Sequence, residues 1–351
     1  MVLKERNFTE QDCHLYIISL VSKMPNLFCQ MVKKMILILL TVIIITYCIH
    51  PGRFAHYYTF IKEEDMVHEL EESPLAQKLS ETSGLPLCPW HILNESSYSL
   101  LYPKKNVTQC DLNELSVKLD IKLGGTWKPS NCVSRFDVAI VVPYRNRQTQ
   151  LEIFLLYMHS FLQKQMINYR ILIIEQVEKK DFNRAKLLNI GYIEALKLFP
   201  YHCFIFHDVD LIPQKQNNIY ACTHQPRHMS SSLNTFRYNL PYRGLFGGAV
   251  AILKSQFELV NGFSNMFFGW GGEDDDFQSR INHKGLSICR FSPRVSRYVM
   301  LTHSKELPSE TRFSNLLAGK NRYDVDGINT LVYTVRNSTF KPLYTWILVD
   351  I

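Results

Sequence analysis

The sequence predicts an α/β protein with a doubly wound sheet, placed behind a single N-terminal membrane helix. Three continuous apolar runs, at residues 136–143, 169–176 and 203–208, alternate with apolar positions at helical spacing in 151–162 and 183–199. Continuous apolar runs of this length are typical of strands that are buried on both faces. The order strand, helix, strand, helix, strand is the beginning of a doubly wound parallel sheet.

A charge-free apolar run at residues 35–49 predicts the membrane helix. It is shorter than the roughly 20 residues of a typical span, and the lysines before it can snorkel. We expect an uncleaved anchor and not a cleaved signal peptide, because 34 residues precede the run and no A-x-A site follows it. Lysines and arginines are denser before the run than directly after it, which predicts cytosolic residues 1–34 and a luminal remainder.

The composition argues against a nucleic-acid partner. The net charge is +7, but lysine and arginine are scattered and form no basic stripe. Hydrophobic residues make up 46% and charged residues 20%, the ordinary balance of a protein with a core.

Several features after the apolar run indicate a luminal location. Sequons for N-glycosylation occur at Asn94, Asn106 and Asn337. Six of the nine cysteines follow the run, and an even number in an oxidising compartment allows disulfides whose pairing the sequence leaves open. Residues 50–86 lack core-quality periodicity and predict a partly helical or flexible luminal stem, which leaves 87–351 as one catalytic domain.

Polar side chains follow two of the predicted strands, where ligands of doubly wound sheets bind. Arg145 and Arg147 follow Pro143, and either solvated loop residues or a diphosphate site explain them. Asp208 and Asp210 follow the third strand on one side of an extended segment. Two carboxylates that repel each other favour a bound cation, which could bridge the phosphates of a nucleotide-sugar.

An acidic cluster, residues 273–276, directly follows Trp270 and two glycines. Consecutive acids are usually a solvated surface or a helix N-terminus. The preceding Trp offers a stacking plate for a sugar ring, and one of the acids could serve as a general base.

Specific segments of this sequence resemble the beta-1,4-galactosyltransferase family. They are FNRAKLLN (182–189), DVDLIP (208–213), QPRH (225–228), FGG (246–248), NGF (261–263), GWGGEDDD (269–276) and PLYT (342–345). The match runs in order from Cys88 to the C-terminus, and GWGGEDDD is highly specific. The resemblance implies an inverting transferase of the GT-A fold, with a mixed Rossmann-like sheet, a UDP-sugar donor, Mn²⁺ and a Golgi location as a type II membrane protein.

The resemblance also implies roles for individual residues. The metal ligands would be Asp210, Met300 and His303, although a thioether is a soft ligand for manganese and the residue types alone would place Met300 in the core. Asp274 would be the general base. The residues implied to bind the donor nucleotide are Pro143, Arg145, Arg147, Phe182, Arg184, Val209, Asp210 and Trp270. Those implied to bind the sugar substrates are Leu245, Gly272, Glu273, Asp274, Asp275, Arg312, Phe313 and Leu316.

Three further expectations come from the resemblance. The disulfides would be Cys88–Cys132 and Cys203–Cys222, whereas Cys110 and Cys289 lie outside the family pattern. Gly271 and Gly272 would act as hinges, and residues 303–316 would form a second mobile loop. Leu316 stands where the family usually has Ile, and the loop before Arg312 is shorter than in the vertebrate enzymes.

Leu245 is the departure that bears on the donor. In the galactosyl enzymes a Tyr precedes FGG beside the 2-position of the donor sugar, and Leu leaves room for an acetamido group. We therefore expect UDP-GalNAc as the favoured donor and a beta-1,4-N-acetylgalactosaminyltransferase acting on GlcNAc-terminated glycans, with UDP-galactose as the alternative donor. Two rival classes are a metal-dependent hydrolase and a non-catalytic lectin or chaperone. Metal-dependent hydrolases usually hold two metal ions, and the sequence offers only one plausible set of ligands, which argues against the first class. A lectin or chaperone need not keep Asp210, Asp274 and His303 together, so the presence of all three argues against the second class.

Overall fold

The computed structural model describes residues 26–49, 58–90, 106–177, 180–304 and 306–351. The chain divides after Phe54 into two compact units. In the first unit, helix α1 spans Asn26–Ile49, and its section Gln30–Cys48 is long and apolar enough to cross a membrane. The helix therefore includes the predicted anchor at 35–49 and begins earlier, at Asn26.

The second unit contains the remaining elements. Its helices are α2 (Met66–Glu69), α3 (Pro74–Ser83), α4 (Gln109–Lys118), α5 (Gln148–Gln163), α6 (Arg184–Leu198), α7 (Lys254–Leu259), α8 (Glu273–His283) and α9 (Arg312–Ala318). Its strands are β1 (Thr126–Trp127), β2 (Asp137–Tyr144), β3 (Asn168–Gln176), β4 (Cys203–His207), β5 (Leu211–Pro213), β6 (Arg227–His228), β7 (Ser232–Leu233), β8 (Ala249–Leu253), β9 (Arg297–Met300), β10 (Thr334–Phe340) and β11 (Thr345–Asp350).

The main sheet has the strand order β10-β11-β3-β2-β4-β8-β6, with β1 paired to β3. Its centre is parallel from β11 to β4, whereas β1, β8, β6 and β10 pair antiparallel to their neighbours. The sheet is therefore mixed, as the family resemblance implies, and only its centre is parallel. A second sheet joins β5, β9 and β7.

The three predicted strands and two predicted helices are confirmed, and their side chains show why the sheet is doubly wound. Along β2, Val138 and Ile140 belong to one apolar cluster, while Ala139 and Val141 belong to the other. Successive strand side chains point to opposite faces, so a continuously apolar strand needs a cover on both. Helix α5 contributes to the first cluster and helix α6 to the second, so each face has its own helix.

Part of the predicted stem packs into the second unit. Met66 and Leu70 are buried and belong to the same apolar cluster as β2 and α5. Ile61 pairs with Phe291, and its amide donates a hydrogen bond to the carbonyl of Arg290 at 2.8 Å. The segment predicted as the stem is partly helical, and these residues also pack into the core, because a few widely spaced apolar side chains make contacts that periodicity does not reveal.

Both implied disulfides are present, Cys88–Cys132 and Cys203–Cys222. Among the described cysteines, Cys110 is free and exposed, and Cys289 is free and half-buried. Of the sequon asparagines, Asn106 and Asn337 are exposed on the surface of the second unit, and Asn94 lies outside the described residues.

Candidate active site

A large open cleft of about 840 Å³ lies at the carboxyl ends of β2 and β4. It is lined by every residue that the sequence predicts as a donor or substrate contact: Pro143, Arg145, Arg147, Phe182, Arg184, Val209, Asp210, Leu245, Trp270, Gly272, Glu273, Asp274, Asp275, Arg312, Phe313 and Leu316. Segments far apart in the sequence meet here because the parallel strands end at the same edge of the sheet.

The sequence did not single out several other lining residues: Asn146, Phe236, Pro241, Tyr242, Gly247, Gly248, Gly269 and Glu306. Gly247 and Gly248 belong to the FGG motif, and Phe236 and Tyr242 lie shortly before that motif in the sequence. Closeness to FGG was therefore the sequence signal that could have identified these four residues. Tyr242 donates a hydrogen bond from its hydroxyl to Asp275 Oδ1 at 2.9 Å. It therefore connects the segment before FGG to the acidic cluster.

Arg184, at the start of α6, joins the acids that follow β4 to those of α8. Its Nε donates to Asp208 Oδ1 at 2.6 Å, and its Nη1 lies 3.8 Å from Glu273 Oε1. Asn183 caps the helix by accepting a hydrogen bond from the Lys186 amide, and this positions Arg184 in the first turn. One guanidinium thus offsets two carboxylates at the floor of the cleft.

Asp210 and His303 meet beside the cleft. His303 Nδ1 lies 2.8 Å from Asp210 Oδ2, and the Leu301 amide donates to the Asp210 carbonyl at 2.7 Å. Burial, together with the nearby charge of Asp208, raises the pKa of the Asp210 carboxyl to about 6. This carboxylate is therefore in an environment that a cation would stabilise.

Met300 is brought close to these two residues by strand pairing. It is the last residue of β9 and pairs with Leu211 of β5, the residue that follows Asp210. A carboxylate, an imidazole and a thioether thus come from adjacent strands and the turn after them. The first two suit manganese and the thioether is the weaker donor. Within the described part of the chain, no group of three His, Cys, Asp or Glu side chains forms a metal cluster.

The acidic cluster is both a helix N-terminus and a wall of the cleft. Glu273 begins α8, where carboxylates complement the helix dipole. Asp276 points into the core and pairs with the fully buried Arg280 at 2.7 Å. Glu273, Asp274 and Asp275 line the cleft. Of the four acids in this helical turn, Asp276 forms a structural ion pair and the other three line the cleft.

Asp274 is the acid with the most altered proton affinity in this cluster. Burial raises the pKa of its carboxyl to about 7, and the charges of Glu273 and Asp275 add to the effect. A Cβ on Gly247 would lie 2.5 Å from Asp274 Oδ2, so a side chain at this position would displace the carboxylate. A carboxyl with a pKa near neutrality in a cleft is suited to accept a proton from a substrate.

The entrance of the cleft is formed by two contacting loops. Trp270 is 59% exposed, and its carbonyl accepts a hydrogen bond from the Ser309 amide at 3.0 Å. Gly272, which precedes α8, has a φ of 93°, and a Cβ there would lie 2.9 Å from Phe267. Arg312 Nη1 donates to the Ser309 carbonyl at 2.9 Å. The loop ending in Arg312 and the Trp-Gly-Gly segment therefore contact each other directly.

The two arginines after β2 diverge. Arg145 lies over the ring of Phe182 at 5.1 Å and donates to the Lys180 carbonyl at 2.8 Å. Arg147 donates to the carbonyl of Ser304, next to His303, at 2.9 Å. One arginine is thus linked to the loop before α6 and the other to the loop after β9.

Comparisons with known proteins agree with this architecture. The model of the N-terminal region of glycosyl transferase group 7 matches residues 95–223, and that of the N-terminal domain of galactosyltransferase matches 227–304. Beta-1,4-galactosyltransferase 1 of Mus musculus is 46% identical over 76% of this chain and 67% of its own length. Beta-1,4-galactosyltransferase 4 of Cricetulus griseus is 39% identical over 84% of this chain and 85% of its own length.

A solved structure has the same fold. The catalytic domain of Drosophila beta1,4galactosyltransferase 7, in complex with xylobiose, is 25% identical with a TM-score of 0.54, covering 61% of this chain and 93% of that chain. A mutant of that enzyme was solved with manganese, UDP-Gal and xylobiose. The matched regions span 58–67% of the length of the mammalian beta-1,4-galactosyltransferase 1 relatives.

The fold and the cleft together define a glycosyltransferase of the GT-A class. The matches to both family models and to these relatives go further: the chain belongs to the beta-1,4-galactosyltransferase family.

Asp274→Asn is expected to stabilise the metal-free protein in a pH-dependent way. The folded carboxyl has a pKa of about 7 against an ordinary 3.8, so between these values the folded state keeps a proton that the unfolded chain has lost. The contribution of the Asp274 carboxyl to the free energy of unfolding of the wild type therefore falls as pH rises from about 4 to about 7. Thermal unfolding in EDTA should show a variant Tm gain on the order of 5 °C above pH 7 that disappears near pH 4. A gain that is the same at every pH would contradict this.

Proposed function

We propose that this protein transfers galactose from UDP-galactose, in beta-1,4 linkage and with inversion, to the terminal GlcNAc of a glycan. The observation that carries the proposal is the convergence of Asp210, His303, Arg184 and Asp274 around one cleft at the carboxyl edge of the sheet. The names of the relatives support galactose as the first candidate donor.

The donor would occupy the side of the cleft at the ends of β2 and β4. Arg145, Phe182 and Arg184 lie there together, and the guanidinium groups suit phosphate oxygens. We propose that Phe182, with Arg145 over its ring, contacts the uracil, because an aromatic face suits a planar base.

Asp210, Met300 and His303 are the residues that would hold Mn²⁺. The contact between the Asp210 carboxylate and the His303 imidazole supports this assignment, since two donors at that separation can share one ion. When bound, the ion would neutralise the diphosphate leaving group. Its presence in the Drosophila relative is consistent with the assignment.

Asp274 is the group proposed to take the proton from the acceptor hydroxyl. The pKa of about 7 leaves this carboxyl able to accept a proton near neutral pH. Direct displacement at the sugar C1 needs one base and no covalent nucleophile, and it inverts the anomeric configuration. Trp270, Arg312 and Phe313, all at the cleft entrance, would hold the acceptor, with the N-acetyl group against Phe313 and Leu316.

Ordered closure of the two entrance loops is part of the proposal. The segment at Gly271 and Gly272 has positive φ angles, and it contacts the loop that carries Arg312. Donor and metal would bind first, after which closure would complete the acceptor site and exclude water from the activated donor.

We propose a type II Golgi membrane protein with residues 1–34 in the cytosol, an anchor at 35–49 and a luminal catalytic domain. The apolar helix near the N-terminus and the exposed sequons at Asn106 and Asn337 support this topology. The natural acceptor glycan would then be met in the secretory pathway.

N-Acetylgalactosamine is a second candidate donor sugar because of one residue. Leu245 lines the cleft where, by the family resemblance, the galactosyl enzymes carry a Tyr. A leucine side chain is smaller and offers packing for the methyl of an acetamido group. An apolar contact of this kind is worth only about 1–3 kcal/mol, so the two donors would differ by degree.

Asp274→Asn should lose about 10²–10⁴-fold in kcat while keeping its affinity for UDP and Mn²⁺, because the amide cannot accept the proton. UDP release with a simple GlcNAc glycoside measures the first quantity and calorimetry the second. Asp324→Asn is the matched control, since that carboxylate is exposed and pairs with Lys284 outside the cleft. Near-normal turnover in Asp274→Asn would show that the base is misassigned.

Leu245→Tyr should shift donor choice towards galactose by on the order of tenfold, since the Tyr ring would crowd an acetamido group. Competition between UDP-galactose and UDP-GalNAc for one acceptor measures the ratio before and after the change. An unchanged ratio would mean that Leu245 only packs. A wild-type enzyme that uses UDP-GalNAc better than UDP-galactose would move the second candidate ahead of the first.

A further inference from the structure

Arg290 lies behind the cleft wall that carries Leu245. Its side chain is largely buried, and it is not among the cleft-lining residues. A single guanidinium nitrogen, Nη2, donates to the carbonyl oxygens of both Arg243 and Leu245, each at 2.8 Å. One buried cation therefore holds two backbone carbonyls on either side of Gly244, immediately before the FGG turn.

A second guanidinium nitrogen of Arg290 bonds to a histidine. Nε donates to Nδ1 of His228 at 3.2 Å. Burial and the charge of Arg290 keep the pKa of His228 well below its usual value, so the imidazole stays neutral and can accept this bond. The His228 ring lies edge-on to Phe246, with the ring centroids 6.0 Å apart. The same guanidinium is thus linked to residues on both sides of Leu245.

Residues 58–61, which precede α2, also contact Arg290. The ring of Tyr58 lies 5.1 Å from the Arg290 guanidinium, and its hydroxyl is 3.0 Å from the Ser231 hydroxyl. The Ile61 amide donates to the Arg290 carbonyl at 2.8 Å. Tyr58 and Ile61 therefore contact the side chain and the main chain of Arg290, respectively.

We propose that Arg290, supported by Tyr58, is a positioning residue that tunes recognition of the donor sugar by fixing the backbone of Leu245. The inference rests on the proposed function, because it takes Leu245 to lie beside the sugar of the donor. Removing the guanidinium leaves two backbone carbonyls without their donor, and the wall relaxes to recover hydrogen bonds. The Leu245 side chain then moves relative to the sugar, while the part of the cleft that would hold the nucleotide is unchanged.

The test compares Arg290→Met with Arg294→Met in the full-length protein with Mn²⁺. Arg294 is exposed and lies on the same segment, so its change controls for charge. Calorimetry should show UDP affinity within about twofold of wild type in both variants, and UDP-galactose affinity reduced on the order of tenfold in Arg290→Met alone. Equal loss for UDP and UDP-galactose would indicate general damage to the fold and overturn the inference. No loss for either would also overturn it.

A second pair of variants covers the case in which Arg290→Met fails to fold. Arg290→Lys keeps the charge but cannot span both carbonyls and His228, so we expect an intermediate loss for UDP-galactose. Tyr58→Leu leaves the guanidinium in place, and a smaller loss in the same direction is expected.

Donor turnover separates failure of this inference from failure of the proposed function. Wild-type protein that transfers neither galactose nor N-acetylgalactosamine would refute the proposed function. Active wild type whose UDP-galactose affinity relative to UDP is unchanged by Arg290→Lys would refute the positioning role alone.

Discussion

The partly buried ion pairs of Arg184 are the interaction on which the cleft depends. Six carboxylates, those of Asp208, Asp210, Glu273, Asp274, Asp275 and Glu306, line one cavity. Arg184 bonds to Asp208 and approaches Glu273, and so it joins the end of β4 to the start of α8. It offsets only part of the negative charge. Burial first, and this remaining charge second, raise the pKa of Asp210 and of Asp274, which suits one carboxylate to a cation and the other to a proton.

The sequence predicted three of the four parallel central strands, β2, β3 and β4, because continuous apolar runs mark strands that are buried on both faces. It did not predict β11, whose residues alternate between buried and half-buried. It did not predict the packing of Met66 and Leu70, whose contacts are long-range. Most cleft residues were predicted from the family motifs. Met300 also depended on the family resemblance, because its residue type alone would have placed it in the core. Tyr242 was missed because its role depends on a hydrogen bond to Asp275, a residue more than thirty positions away, which no local pattern encodes.

In our proposal, donor choice involves two layers of the structure. Leu245 presents its side chain to the cleft, and Arg290 holds the backbone of the same residue from behind. The first layer is visible in the sequence as a departure from a motif. The second is visible only in three dimensions, because Arg290 is distant in sequence from Leu245 and reaches its main chain. Relatives with the same residue before FGG could therefore still differ in donor preference.

The location of the metal tests the central claim most directly. Crystals of the second unit, Ala55–Ile351, grown with UDP and MnCl₂ would give an anomalous difference map at the manganese edge. The proposed mechanism requires a single strong peak within bonding distance of the Asp210 carboxylate and the His303 imidazole, on the diphosphate side of Asp274. A peak coordinated by Asp274 and Asp275 instead, with Asp210 and His303 still bonded to each other, would contradict both the metal site and the assignment of the base.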